Sequence, residues 1–292
     1  MKNLKKYLFL AVLSLAFISC DDDDTPVANN VTLSFNNTFD NTTIVLGEAS
    51  STSATVNTSE AGQVHRFSEL KYIISNIRLV NADGIEIPYN INDLDNGATV
   101  VDHSKPETLQ YVLNEIPTAE YTQIKFGLGI KTELNTLDQV RFPNFYAAAE
   151  ENDTEMMWEW GTGYRFTKIE GFYDTDHKEL SIHTGSTLDE DPEDPTGEAL
   201  VQGVDAYRDI VLDLPISAIV GSNAPTIIIK ADFNHLLSGD SEIITLSSGS
   251  SMSDNATPNI HTAVQMTKFV NNLGGDGSTN TKGMFSITSV EN

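Results

Sequence analysis

Both tryptophans of the chain stand two residues apart, inside the run Met156-Met157-Trp158-Glu159-Trp160-Gly161-Thr162-Gly163-Tyr164-Arg165-Phe166. In an extended strand residues i and i+2 face the same side, so the two indoles would share a face. The plainest role for such rings is core, because Trp and Tyr bury a large area while keeping one polar handle. Clustered Met, Trp and Tyr can equally flank a soft metal, since thioether and imidazole donors suit Cu(I). Six histidines could supply imidazole: His65, His103, His177, His183, His235 and His261. They are dispersed, with no tight ligand spacing. In a β-sandwich, ligands come from distant strands, so dispersion does not refute a site.

Other chemistry is poorly supplied. The only thiol is Cys20, and no Gly-x-Ser-x-Gly elbow, His-Glu-x-x-His pair or phosphate loop is present. With 42 Asp and Glu residues, no catalytic carboxylate pair can be singled out. The expectation is a protein without catalytic turnover. The 17 Lys and Arg against those 42 acids give a formal charge of −25, the opposite of a nucleic-acid binder. Such a surface attracts cations without selecting among them. The acidic run Asp189 to Pro195 reads as an exposed loop. It lacks the alternating ligands and central glycine of a calcium loop.

The leader has its own chemistry. Lys2, Lys5 and Lys6 precede an apolar stretch from Tyr7 to Ile18, too short to span a bilayer, which needs about 20 residues. Phe17-Ile18-Ser19-Cys20 resembles a bacterial lipobox, with Phe17 where Leu is commoner. The expectation is cleavage before Cys20, leaving residues 1–19 as signal peptide and Cys20 lipidated, which ties the chain to a membrane. Residues 20–30 form an acidic tether. Asp21 to Asp24 resemble the surface-export signal of Bacteroidetes lipoproteins, which implies an outer-membrane lipoprotein exposed at the cell surface.

The elements that would position these residues are mostly strands. Val31, Leu33 and Phe35 alternate with Thr32 and Ser34, a half-buried strand. His65 to Val80 is the longest apolar-rich stretch, and Asp83-Gly84 after it is a hairpin signal leading to Glu86–Tyr89. Further strands are expected at Thr43–Leu46, Ser53–Val56, Thr99–Asp102, Tyr121–Ile130, Tyr164–Gly171 and Leu180–His183. Asp209–Leu214, Thr226–Phe233, Glu242–Leu246 and Phe285–Val290 complete the set. Helical signals are few: Pro106–Leu113, Phe145–Glu150, and Pro258–Leu273, which Gly274-Gly275 should stop. The pattern predicts an all-β chain, a β-sandwich of antiparallel strands with a few short helices, one near the C-terminus. No boundary divides residues 31–292, read as a single domain. A core is affordable, since a chain of this size buries roughly 70–75% of its unfolded surface.

Four segments together, LKYIISNIRLVNADG, YTQIKFGLGI, MMWEWGTGYRFTKIEG and LSIHTG, resemble the MbnP-like copper-binding family. There the run M-x-W-x-W-x-x-G-Y-x-F is followed by a strand ending His-x-Gly, matched here by His183-Thr184-Gly185. The resemblance covers roughly residues 31–290. It implies a β-sandwich, export and, in some members, copper held by histidines beside a tryptophan oxidised to kynurenine by a di-haem peroxidase partner. By motif, Trp158 or Trp160 is the candidate for kynurenine and His183 the best ligand, with Met157 and Tyr164 lining the site. His65, His235 and His261 are ligand candidates by position alone.

Three readings follow. The first is an exported, lipid-anchored protein that binds copper for acquisition or storage. The second is a metal-free surface module whose aromatic cluster contacts a glycan or a partner protein. In the third, Trp-x-Trp is purely core. Histidines converging on a tryptophan would favour the first, and exposed indole faces the second.

Overall fold

The computed structural model describes residues 28–150, 153–158, 163–196, 198–247, 259–260, 263–278 and 280–292. Its strands, in chain order, are β1 (Val31–Phe39), β2 (Thr42–Thr43), β3 (Asn57–Thr58), β4 (Val64–Asn81), β5 (Glu86–Tyr89) and β6 (Thr99–Asp102). They continue as β7 (Gln110–Leu113), β8 (Ala119–Leu128), β9 (Thr167–Tyr173), β10 (Lys178–Thr184) and β11 (Leu188–Glu190). The last are β12 (Leu200–Gln202), β13 (Arg208–Val220), β14 (Thr226–Asp232), β15 (Asn259–Ile260) and β16 (Phe285–Glu291). Three short helices accompany them: α1 (Leu94–Gly97), α2 (Pro143–Ala149) and α3 (Ala263–Gly274). The expected all-β sandwich, with one helix near the C-terminus, is what the chain forms.

One sheet runs β16-β14-β1-β2, with β7 also on β1. The other runs β13-β8-β4-β9-β10-β15, and the long β4 also pairs β3, β5 and β6. Most pairings are antiparallel, but β1 with β14 and β10 with β15 are parallel. The core between the sheets is aromatic. Tyr72 of β4 meets Phe35 of β1 edge-on at 6.1 Å and Phe285 of β16 at 5.8 Å, and its hydroxyl donates to Asn37 Oδ1 at 2.8 Å. Burying both the ring and its hydroxyl stabilises the fold only because that oxygen is paired.

A bulge in β4 decides what faces outward. Phe67 pairs Gly171 but Glu69 pairs Glu170, leaving one extra residue on β4. Before the bulge His65 and Phe67 point into the core. After it, Leu70, Tyr72 and Ile74 do, and Glu69 and Lys71 turn to the opposite face. Without the bulge, the period-two rule would drive Lys71 into the aromatic core.

Several expected boundaries shift, each for a local reason. Ser53–Val56 forms no strand, because Ser51 Oγ accepts from the backbone N–H of Ser53 and Ala54 and bends the chain. Of Thr43–Leu46 only Thr43 is in a strand, the two-residue β2. Glu242–Leu246 is not a strand either; the Gln63 amide takes both the N–H (2.7 Å) and the C=O (2.8 Å) of Leu246, in place of a neighbouring strand. Pro106–Leu109 is a 3-10 turn that runs into β7. The late helix begins at Ala263, not at Pro258, because Asn259 and Ile260 pair with β10. Pro258 itself lies outside the described residues. Gly275 does end that helix, at φ +80.

Candidate functional site

Three neighbouring strands carry the site on the outward face of the larger sheet. Lys71 of β4, Lys168 of β9 and His183 of β10 stand side by side in register. The adjacent row on that face is Glu69, Glu170 and Ser181. His183 Nε2 and Glu170 Oε1 are 3.0 Å apart, and Ser181 Oγ lies 3.4 Å from the same nitrogen. The imidazole hydrogen bond holds the Glu170 carboxyl below the usual carboxylate range, against the opposing effect of burial. Burial pulls the Lys168 ammonium down, but its hydrogen bonds to Glu155 and Glu69 outweigh that and hold it above its ordinary value.

A hairpin lies over this row. Tyr164 was expected to open a long strand; instead it forms an isolated bridge with Met157, and β9 begins three residues later at Thr167. The backbone N–H of Trp158 donates to Gly163 C=O at 3.0 Å, and that of Arg165 to Met156 C=O at 2.7 Å. Gly163 sits at φ +96, and an added Cβ would lie 2.3 Å from Asn135 Oδ1, so only glycine serves there. The hairpin sets the Trp158 ring edge-on to His183, with centroids 6.1 Å apart. Arg165 places its guanidinium 5.4 Å from the indole centroid, a cation–π distance. A depression of about 750 Å³ opens here, and Met157, Trp158, Arg165, Lys168, Glu170 and His183 are among the residues that line it.

The expected site residues therefore divide. Met157, Trp158 and His183 come together. Tyr164 is buried against Phe145 at 5.2 Å and supports the hairpin from behind. His65 does not join them. It faces the core between Phe39 (5.3 Å) and Phe67 (5.2 Å), on the opposite side of the sheet from His183. It pairs Tyr173 while His183 pairs Lys168, five residues away on β9, or roughly 17 Å at the rise of a strand. Burial lowers the His65 pKa to about 4. His235 sits in the 3-10 turn Phe233–Leu236, which closes the core beneath β1. His103 and His177 are accounted for elsewhere: the first bonds Asn37 and the Ile44 carbonyl, and the second occupies a turn at φ +55. Trp160 and His261 lie outside the described residues. Sequence reasoning did not single out Glu170, Lys168 or Arg165. Alternation along β9 could have placed Lys168 and Glu170 on one face, but setting them beside His183 needs the register with β10, and Arg165 lies outside the strands.

Trp158 and Gly163-Tyr164 of the first motif and His183–Gly185 of the second thus meet at one place on a sandwich. The sequence model of the MbnP family matches residues 28–261. The chain belongs to the MbnP family. Its fold is similar to that of MbnP from Methylosinus trichosporium, with a TM-score of 0.53 at 16% identity, over 89% of this chain and 98% of that one. No curated protein sequence matches it.

The copper implied for MbnP proteins can be tested against these side chains. The carboxylate–imidazole bond of Glu170 and His183 is the arrangement that orients metal-binding histidines. The Met157 thioether lines the same depression, and the pair suits copper better than a hard cation. Among the described residues, no three His, Cys, Asp or Glu side chains gather where they could hold a metal ion. The described residues therefore fit part of a copper site, one oriented imidazole with a thioether nearby.

Proposed function

We propose that this MbnP family member is an exported, lipid-anchored copper-binding protein for acquisition or storage, without catalytic turnover. One observation carries the reading: His183, oriented by Glu170, faces Trp158 across a depression that Met157 also lines. His183 is the first ligand in this reading. His261 is the second, supported by the parallel pairing of Ile260 with Ile182, the residues that immediately precede the two histidines. Copper would supply affinity for imidazole and thioether donors; the chain's own part is to hold the His183 ring still, seat the indole and exclude bulk water. Trp158 is the residue we assign for oxidation to kynurenine by a di-haem peroxidase partner, because its ring faces His183. Cys20 is the lipid attachment point, at the outer membrane and on the cell-surface side. Among the described residues, no helix is long and apolar enough to cross a membrane.

Metal analysis and intact mass of the mature protein from its own host test this. The expected result is about one copper per chain, lost in His183→Ala and in His261→Ala. A mass gain confined to the Trp158 peptide would support the oxidation. No metal, no copper uptake on titration and an unmodified Trp158 would overturn the reading and turn attention to a glycan or protein ligand. Against that second ligand class, the indole is half-buried, with Arg165 over its ring.

A further inference from the structure

Three lysines grip three consecutive residues on the chain that enters the Trp158 hairpin. Lys105 pairs with the Asp153 carboxylate. Lys71 Nζ donates to Thr154 C=O at 3.0 Å. Lys168 pairs with the Glu155 carboxylate. Lys71 and Lys168 are neighbours across β4 and β9, and their side chains are only 10% and 5% exposed. Glu69 bridges them, 2.5 Å from Lys71 Nζ and 3.0 Å from Lys168 Nζ. Buried ammonium groups are costly, and apolar side chains of similar size would pack this face at less cost. The gripped segment is itself strained. Glu155 holds φ +56, a region that non-glycine residues visit rarely and only when their surroundings impose it. Two and three residues later the chain reaches Met157 and Trp158.

We infer that Lys71, Lys105 and Lys168 form a clasp that positions Trp158 against His183 by fixing residues 153–155. The lysines touch no ligand in this account; they are positioning residues that act through the hairpin. Lys168 carries the most, because its partner Glu155 is the strained residue. Lys105, at 32% side-chain exposure, contributes least, as exposed pairs do. The inference rests on the copper reading only for its metal readout.

The test uses the mature chain carrying Trp160→Phe, so that Trp158 is the sole tryptophan. Glu155→Gln, Lys168→Gln and Lys168→Arg are compared in that background by acrylamide quenching of Trp158, copper titration and thermal melting. Glu155→Gln and Lys168→Gln should each raise the quenching constant about twofold, and the double variant no further, as expected for one coupled pair. Lys168→Arg should restore the parent value. Copper affinity should fall about tenfold in the same two variants, the scale of a lost supporting contact. Unchanged quenching in Glu155→Gln overturns the clasp, and because this carboxylate is 48% exposed that variant decides even where Lys168→Gln fails to fold. Shifted quenching in a chain whose parent takes up no copper overturns the copper reading and leaves the clasp standing.

Discussion

The indole nitrogen of Trp158 occupies the space that a side chain at residue 185 would need: a Cβ built on Gly185 lies 2.2 Å from Trp158 Nε1. The two family motifs are therefore one steric unit. The glycine of His-x-Gly leaves room for the first tryptophan of Trp-x-Trp, two residues past the histidine that the same indole faces. Gly185 N–H also donates to the Met266 sulfur of α3 at 3.3 Å, which fixes the strand end on its other side.

Gly185→Ala follows directly. The backbone dihedrals there suit alanine, so the conflict is steric, first with the indole and then with the Tyr164 carbonyl oxygen, 3.0 Å from the added Cβ. Displacing it should cost about 1–3 kcal/mol, the range for overpacking a filled site. Denaturant unfolding would measure that loss, and in a Trp160→Phe background Trp158 emission should move to the red. Unchanged stability and emission would mean that the indole does not occupy this seat.

His183→Ala and His65→Ala should separate cleanly. The two rings lie on opposite faces of one sheet, so copper binding should vanish in the first and persist in the second. His65→Ala should instead lower stability by about 2 kcal/mol, because it opens a hole between Phe39 and Phe67. Copper titration alongside thermal melting reads both. Loss of copper in His65→Ala at retained stability would contradict the assignment of faces.

The reason His65 looks like a ligand in the sequence is instructive. It opens the longest strand, and strand alternation is visible in residues 65–80, but the bulge between Phe67 and Glu69 is not. One extra residue switches the face of everything after it. The sandwich, β4, the Asp83-Gly84 hairpin and the late helix were legible because period-two patterning and turn residues are local signals. The pairing of Glu170 with His183 was legible only in part, since it needs the register between β9 and β10. The lysine clasp was not, because it joins residues of distant strands to a segment with no pattern of its own.

His65 also sets an acid limit on stability. Its folded pKa is lowered to about 4 from the ordinary 6.5, by burial first, and a weak contact with the Gln63 backbone offsets only part of this. Both states are neutral at high pH, so the group then contributes nothing. As pH falls below 6.5 the unfolded chain takes up a proton that the folded chain refuses, and stability is lost down to pH 4. The loss over that window should be roughly 3 kcal/mol. Neither ring nitrogen makes a hydrogen bond of normal geometry, so His65→Leu should cost less than about 1.5 kcal/mol at neutral pH and remove most of the slope between pH 6.5 and 5. An unaltered slope in that variant would assign the acid sensitivity to another group.

Glu170→Gln tests whether the carboxylate orients His183 or merely neutralises a neighbour. Glutamine keeps the length of the side chain and can still accept one hydrogen bond from Nε2, but it offers no charge to strengthen it. If orientation is the function, copper affinity should fall about tenfold in Glu170→Gln and toward a hundredfold in Glu170→Ala, the range found when the carboxylate behind a metal-binding histidine is lost. The two variants also separate orientation from charge. Equal losses in Glu170→Gln and Glu170→Ala would point to charge alone, whereas a graded loss points to the hydrogen bond. Copper titration of the parent and both variants at one fixed pH reads the grading directly.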